Sequence, residues 1–181
     1  MTDKTLYTVT VYSENQVGLL NQISIIFTRR QLNIESLSVS ASAIEGVHKF
    51  TITTYSDRET MEKLVKQIEK RIDVLRAFFY TDDEIVFQEV ALYKVPTDKL
   101  LDDRHIEDLV RKYNARILEV NRTYTVIEKS GHTDETQALF EELSRYDVMQ
   151  FVRSGRVAIT KSTVEHVSIF LKEQQYRQAK L

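Results

Sequence analysis

The chain has 181 residues, 42% of them hydrophobic and 29% charged, and 25 Lys and Arg stand against 27 Asp and Glu for a formal net charge of -2. These values are typical of a globular protein of one or two domains, and without a sustained basic stripe we expect no nucleic acid partner. The absence of cysteine excludes disulfides, thiolate metal sites and a cysteine nucleophile. Because the chain shows neither an apolar leader nor a run of about 18 apolar residues, we expect a cytoplasmic protein that does not bind membranes.

The first part of the chain predicts a strand, a helix and a hairpin in that order. Apolar and polar residues alternate over 6–12, which is typical of a half-buried strand, and a polar loop at 13–18 follows. Apolar residues then recur at helical spacing up to about Gln31. Two further alternating segments flank Glu45-Gly46, so we predict a hairpin with its turn there.

A second helix and a closing strand complete this first unit. Ser56 is followed three residues later by Glu59, a pattern that predicts a capping box at the start of a helix. The run Val74–Tyr80 is a candidate final strand. The order βαββαβ is the ferredoxin-like arrangement, in which both helices cover one face of an antiparallel sheet.

The same order returns after the charged segment 81–84. A strand ending at Pro96, the only proline, precedes a predicted helix over 98–113, and a helix capped by Thr133 follows a second hairpin. The last strand, 148–160, is interrupted at 153–155 by a glycine-containing turn. We therefore predict an α+β protein of two tandem ferredoxin-like βαββαβ domains, at 5–81 and 84–160, followed by a helical tail at 161–181.

The predicted tail is amphipathic. Ser162 and Glu165 form a second candidate capping box. An apolar edge follows at Val164, Val167, Phe170 and Leu171. A terminal helix docked on its own domain is the favoured interpretation, and a partner-binding arm is the alternative.

No catalytic or metal-binding constellation is visible in the sequence. The histidines at 48, 105, 132 and 166 are never within four residues of one another, and four glycines are too few for a Walker loop or a dinucleotide fingerprint. Adjacent acids at 82–84 and 102–103 are typical of a solvated surface. We predict a protein with no catalytic residues and no metal site.

The first loop favours ligand binding instead. It joins a strand to a helix, so the helix's first N–H groups and its positive dipole end favour a carboxylate beside the loop. Asn15 either caps those N–H groups or holds a ligand, and Gly18 allows close approach because it lacks a Cβ. A plain capped turn is the alternative for a loop of this composition.

Several motifs resemble one family. The loop Glu14-Asn15-Gln16-Val17-Gly18-Leu19-Leu20, followed by Asn33-Ile34-Glu35-Ser36-Leu37, closely resembles the ACT domain of acetolactate synthase small subunits. Similarity continues at 74–76, at 88–95 and at Val152-Arg153-Ser154-Gly155-Arg156-Val157. The resemblance covers about residues 6 to 160 and implies an N-terminal ACT domain followed by an ACT-like domain.

The resemblance also implies an effector site at an ACT homodimer interface. Asn15, Gly18 and Leu20 would contribute from the loop and helix of one protomer, and Asn33 and Ile34 from the facing chain. This chemistry suits a branched-chain amino acid such as valine, because helix N–H groups take its carboxylate while Leu20 and Ile34 enclose its side chain. Gln31 and Asn21 depart from the glycine and serine usual in the family.

As a function, the resemblance implies a non-catalytic regulatory subunit. It would activate the large catalytic subunit of acetolactate synthase and confer allosteric feedback inhibition on branched-chain amino acid biosynthesis. Thiamine diphosphate, FAD and magnesium are expected on that partner, and no cofactor is expected in this chain. The alternatives are a freestanding ACT-type amino-acid sensor acting on another partner, which lacks an output module here, and an acylphosphatase-type enzyme, which would need a cation in the first loop.

Overall fold

The computed structural model describes residues 4–102, 105–164, 167, 169, 170 and 172, with backbone alone at 100–102. These residues form two compact units, one reaching Val86 and including the described residues from Ala158 onward, and one spanning Phe87–Val157. The predicted domain limits of 5–81, 84–160 and 161–181 stay predictions, because spatial proximity does not test where an independently folding domain ends.

The first unit has the βαββαβ order expected from the sequence. Its four strands form one antiparallel sheet in the order β2-β3-β1-β4. The fold class predicted for this part of the chain is confirmed. In chain order the elements are β1 (Thr5–Glu14), α1 (Leu19–Arg29), β2 (Ser36–Ala41), β3 (Val47–Ser56), α2 (Arg58–Ile68) and β4 (Val74–Tyr80).

The first core lies between this sheet and its two helices. On β1, Val9 and Val11 are fully buried, as the alternation with polar residues requires. On α1, Ile23, Ile26 and Phe27 recur on one face and are at most 1% exposed. The core therefore follows directly from the two periodicities of the sequence.

The start of α2 differs from the prediction. Asp57 is the N-cap, and its carboxylate accepts a hydrogen bond from the Thr60 N–H at 2.8 Å. Ser56 instead stays in β3, opposite Thr5 of β1. The predicted capping box was one residue too early, because Asp caps as well as Ser and the strand pairing claims Ser56.

The sheet face away from the helices is rich in hydroxyl groups and covered. Thr8, Thr10, Thr51 and Thr53 are at most 4% exposed. Described residues from Ala158 onward pack on this face. Lys49 donates to the carbonyl of Ala158, and the ring of Phe170 lies 5.5 Å from the Arg76 guanidinium.

The C-terminal segment agrees in part with the predicted tail helix. Val167, Ile169, Phe170 and Lys172 are helical, and Val167 is buried. The Ser162 hydroxyl accepts a hydrogen bond from the Val164 N–H at 3.1 Å. Glu165 and Leu171, which belong to the predicted tail, lie outside the described residues.

The second unit repeats the βαββαβ topology. Its strands are antiparallel in the order β6-β7-β5-β8, and a short β9 also pairs with β5. In chain order the elements are β5 (Ile85–Pro96), α3 (Thr97–Asp102), α4 (His105–Lys112), β6 (Arg116–Val120), β7 (Tyr124–Gly131), α5 (Thr133–Leu143) and β8 (Gln150–Arg153). The strand that follows, β9 (Val157–Thr160), belongs to the first unit from Ala158 onward.

Three local features compare with the predictions for this unit. The helix predicted over 98–113 is described as α3 and α4, and residues 103 and 104 between them lie outside the described residues. His132, not Thr133, is the N-cap of α5, and its N–H donates to the Glu135 carboxylate at 2.8 Å. The expected break in the last strand is present between β8 and β9.

The second core centres on a buried tyrosine. Tyr93 on β5 is fully buried and packs among apolar residues that include Ile106, Ile127 and Leu139. Its hydroxyl donates to the carbonyl of Thr136 on α5 at 2.7 Å, which satisfies the polar end of the ring. Burial raises the pKa of the Tyr93 phenol far above its usual value, so it remains a neutral hydrogen-bond donor.

Candidate functional site

The start of α1 is an uncapped helix N-terminus. Gly18 is the N-cap residue, with a left-handed backbone at φ 84°, and no side chain of the described residues caps the helix. The first turn also carries no acidic side chain. Its N–H groups and partial positive charge are therefore open to an anion from outside the loop.

Asn15 does not cap the helix, although the sequence allowed that role. The loop is held by backbone hydrogen bonds, from the Gln16 N–H to the Glu14 carbonyl at 3.1 Å and from the Leu19 N–H to the Gln16 carbonyl at 3.3 Å. The Asn15 side chain is exposed beside them. Of the two roles expected for this residue, capping is not observed, and ligand contact stays a prediction.

Gly18 is needed for its backbone conformation. A Cβ built on it would meet nothing within 4 Å, so the surrounding space is open in the single chain. Any other residue would be strained at this positive φ. The expected approach of a ligand or a second chain at Gly18 stays a prediction.

Two exposed apolar side chains flank this helix start. Val17 is fully exposed and Leu20 is 45% exposed. We name these two residues the α1 patch. Apolar side chains grouped on a surface are typical of an interaction site, whereas single ones are ordinary.

Asn33 and Ile34 lie just before β2, and each is partly engaged within the chain. The Asn33 side-chain amide donates to the Glu35 carboxylate at 3.0 Å, and its carbonyl accepts from the Thr54 hydroxyl at 2.6 Å. Ile34 is half-buried against the first core. The Asn33 side chain is exposed, so it remains accessible to a ligand.

The two halves of the predicted site lie at opposite ends of the first sheet. Glu14, which opens the loop, pairs with Val47 at the start of β3, whereas Asn33 is bonded to Thr54 near its end. These β3 positions are about 24 Å apart at the rise of an antiparallel strand. A single chain therefore does not bring Asn15, Gly18 and Leu20 to Asn33 and Ile34, and their common site stays a prediction that needs a second chain.

His48 is a polar residue near the loop that sequence reasoning did not select. It lies opposite Ser13 on β1, at the base of the loop, and is half-buried. Its Nδ1 is buried without a hydrogen-bond partner in the structure. The alternation with buried Phe50 placed it on the helix side of β3, which was the available signal.

The buried charges of the second unit have structural partners. The Glu89 carboxylate accepts hydrogen bonds from the hydroxyls of Thr136 and Thr133, at 2.5 and 3.1 Å, and lies 3.6 Å from the Arg153 guanidinium. Among the described residues no group of three His, Cys, Asp or Glu side chains could hold a metal ion. No helix in that part of the chain is long and apolar enough to cross a membrane.

Two family profiles match consecutive parts of the chain. Residues 9–76 match a family described as an AHAS small subunit-like ACT domain. Residues 88–162 match a family described as the small subunit of acetolactate synthase. The first match contains α1, its loop and the residues before β2, and the second contains most of the second unit.

Individual proteins agree with these profiles. The acetolactate synthase small subunit of Bacillus subtilis is 32% identical over 169 residues, which cover 91% of this chain and 95% of that protein. Its counterpart in Mycolicibacterium smegmatis is 30% identical, over 86% of this chain and 91% of that protein. The crystal structure of the small subunit from Thermotoga maritima superposes with a TM-score of 0.79 at 28% identity, covering 88% of this chain and 99% of that chain. The chain therefore belongs to the family of acetolactate synthase small subunits, and its first domain is of the ACT type.

Proposed function

We propose that this chain activates the large catalytic subunit of acetolactate synthase and makes it sensitive to feedback inhibition by a branched-chain amino acid, most simply valine. Family membership identifies the chain as a small, non-catalytic regulatory subunit. The observation that carries the proposal further is the uncapped N-terminus of α1 at Gly18, next to the exposed α1 patch.

The chemistry of this helix start suits an α-amino acid with an aliphatic side chain. The effector carboxylate accepts hydrogen bonds from the first N–H groups of α1, where the helix dipole adds attraction of about 0.3–1 kcal/mol. The Asn15 amide contacts the polar atoms of the effector. Leu20, 45% exposed in the single chain, contacts its apolar side chain.

The rest of the site comes from a second copy in a homodimer of the ACT domain. Asn33 and Ile34 of one chain lie too far from the loop of the same chain, which supports a site shared between two chains. In such a dimer Asn33 holds the polar atoms of the effector and Ile34 closes over its side chain. Burial of the α1 patch against the second copy would remove apolar surface from water and stabilise the dimer.

The cofactors of the reaction belong to the catalytic partner in this proposal. Thiamine diphosphate, FAD and magnesium are held there, and this chain contributes no ligand to them. The complex works in the cytoplasm, where branched-chain amino acids are made.

Mixing the chain with its cognate catalytic subunit tests the proposal. The purified chain alone has no acetolactate synthase activity, raises the turnover of the catalytic subunit, and makes that turnover fall when valine is added. Leucine and isoleucine, titrated in parallel, rank the effectors. Activity of the chain alone, or an unchanged turnover on mixing, contradicts the proposal, and valine binding without any effect on the catalytic subunit supports a freestanding ACT-type sensor.

A further inference from the structure

The chain connects the two units twice. The first connection leaves the first unit after Val86, and the second returns to it at Ala158. We name residues 158–161, which begin the returning chain, the clamp segment. A signal that passes along the chain from one unit to the other must use one of these two connections.

Lys161 joins the two connections by hydrogen bonds. Its N–H donates to the carbonyl of Glu84 at 2.9 Å, and its ammonium donates to the carbonyl of Asp83 at 2.8 Å. The two acceptor residues belong to a short turn, in which the Thr81 N–H donates to the Glu84 carboxylate at 2.8 Å. The outgoing and returning parts of the chain are therefore held to each other.

Lys49 joins the clamp segment to the first sheet. Its neighbour Phe50 is buried in the core, so Lys49 points to the face of β3 away from the helices. Its ammonium donates to the carbonyl of Ala158, a residue that is buried. A charged donor makes a hydrogen bond roughly twice as strong as a neutral one, so this contact fixes the start of the clamp segment.

The clamp segment fits closely against the sheet. The gap between them, lined by residues that include Tyr12, Lys49, Ala158 and Thr160, has a volume of about 20 Å³. Such a space holds roughly one water molecule. The segment is therefore packed on the sheet face and not only attached to it by one side chain.

This contact lies close to the loop of the predicted effector site. Lys49 pairs with Tyr12 of β1, and β1 ends two residues later at Glu14, where the loop begins. The pairing of β1 with β4 shifts register between Tyr12 and Ser13, so the end of the strand departs from regular sheet geometry. A change in the loop reaches Lys49 through two residues of one strand.

We propose that the clamp segment carries the effector signal from the first unit to the second. An effector at α1 orders the loop and the end of β1, and Lys49 passes this order to Ala158. Lys161 then restrains the outgoing connection at 83–84 together with the returning one. Coupling between sites needs a physical element whose state both sites can bias, and the clamp segment has contacts at both ends. The inference rests on the proposed function and adds the path by which the effector acts.

Two lysine substitutions and a matched control test the clamp segment. Lys49→Met and Lys161→Met each remove a donor and keep an unbranched side chain. Lys63→Met is the control, because Lys63 pairs with Glu59 on the exposed surface of α2. Calorimetric titration measures the valine affinity of each chain, and the activity assay measures the inhibition of the reconstituted enzyme at saturating valine. Circular dichroism checks folding.

We expect valine affinity to stay within about twofold of that of the unmodified chain in all three variants. Inhibition at saturating valine should be mostly lost in Lys49→Met and Lys161→Met and retained in Lys63→Met, because the coupling and not the binding is removed. Full inhibition in the folded variants overturns the inference and makes the segment a structural strap. A parallel loss of affinity and inhibition also overturns it. If Lys49→Met does not fold, the exposed Lys161 decides alone.

A measurement without valine separates this inference from the proposed function. The chain has no cysteine, so spin labels on Lys66→Cys and Glu141→Cys report one exposed position in each unit. Labelled chain is diluted with unlabelled chain, so that distances within one chain are measured. We expect the distance distribution to broaden in Lys49→Met and Lys161→Met but not in Lys63→Met. An unchanged distribution overturns the clamp, whereas an enzyme that valine does not inhibit refutes the proposed function and leaves this distribution to decide.

Discussion

The two units share one topology but begin their first helices differently. In the first unit, a four-residue loop separates β1 from α1, and the helix start has neither a side-chain cap nor an acid. In the second unit, β5 ends at Pro96 and α3 begins at the next residue, with Asp98 in its first turn. An acid at a helix start occupies the favourable position for a carboxylate, and among the described residues the start of α1 leaves that position open while the start of α3 does not.

The sheet faces that point away from the helices also differ between the two units, in how far they are covered. The first is lined by buried threonines, and described residues from Ala158 onward cover part of it. The second is lined by Val90, Leu92 and Val152 and is uncovered by the described residues. The two units therefore share one topology and differ in the exposure of their sheet faces.

We expect the largest effect from an acid added at the start of α1. Gly18→Asp would give α1 the acidic start that α3 already has, and we expect it to abolish feedback inhibition, because the new carboxylate takes the place of the effector carboxylate and repels it. Basal activation of the catalytic subunit should persist, since no core side chain is removed. A valine titration of the reconstituted enzyme measures both effects.

Gly46→Asp is the matched control for that variant. Gly46 also has a positive φ, 76°, and open space beside it, but it lies in the β2–β3 turn. The Gly46→Asp variant therefore has the same kind of backbone strain but no added charge at the start of α1. Loss of inhibition in both variants would show that strain, and not the acid, is responsible, and normal inhibition in Gly18→Asp would refute the site.

A fragment that lacks the second unit tests whether the two units have separate roles. We expect a fragment ending near Tyr80 to dimerise and bind valine, since β4 closes the first sheet, but to fail to activate the catalytic subunit fully. The fragment also loses the cover over Thr8 and Thr10, whose hydroxyls water can solvate. Sedimentation, calorimetric titration with valine and the activation assay measure the three properties. Full activation would show that the second unit is dispensable.

Asn33→Ala tests the other half of the predicted effector site. We expect it to weaken valine inhibition by about 1–3 kcal/mol, roughly tenfold to a hundredfold, because one polar contact from the facing chain is lost. The substitution also releases Glu35, which the Asn33 amide contacts. Glu35→Gln is therefore the control, and an equal loss of inhibition in that variant would assign the effect to Glu35.

The smallest expected effect concerns the end of α1. Gln31 has a left-handed backbone at φ 55°. Acetolactate synthase small subunits usually have glycine at this position. Gln31→Gly relieves backbone strain in the folded chain, and this gain exceeds the entropy cost of ordering a glycine. We therefore expect the free energy of unfolding to rise by up to about 1 kcal/mol. Urea denaturation followed by circular dichroism measures this. A loss of stability would mean that the Gln31 side-chain hydrogen bond to the Thr28 carbonyl matters more than the strain.

Local patterns predicted most elements but not all of their ends. The alternation around Val9 and the helical spacing of Ile23, Ile26 and Phe27 predicted β1 and α1 correctly. Helix starts were predicted less well, at Ser56 instead of Asp57 and at Thr133 instead of His132. Neighbouring polar residues are all able to cap a helix, and the choice between them depends on which residue the preceding strand keeps in its pairing.

Periodicity and short motifs are properties of neighbouring residues, so they were enough to predict the two βαββαβ units and the family. Only the tertiary structure showed that Asn15 and Asn33 lie at opposite ends of one sheet, since strand pairing sets that separation. It also decided that buried Thr8 and Thr10 share a covered face while Val152 stays exposed. Alternation tells which residues share a face of a strand, but burial depends on what the rest of the chain places against that face.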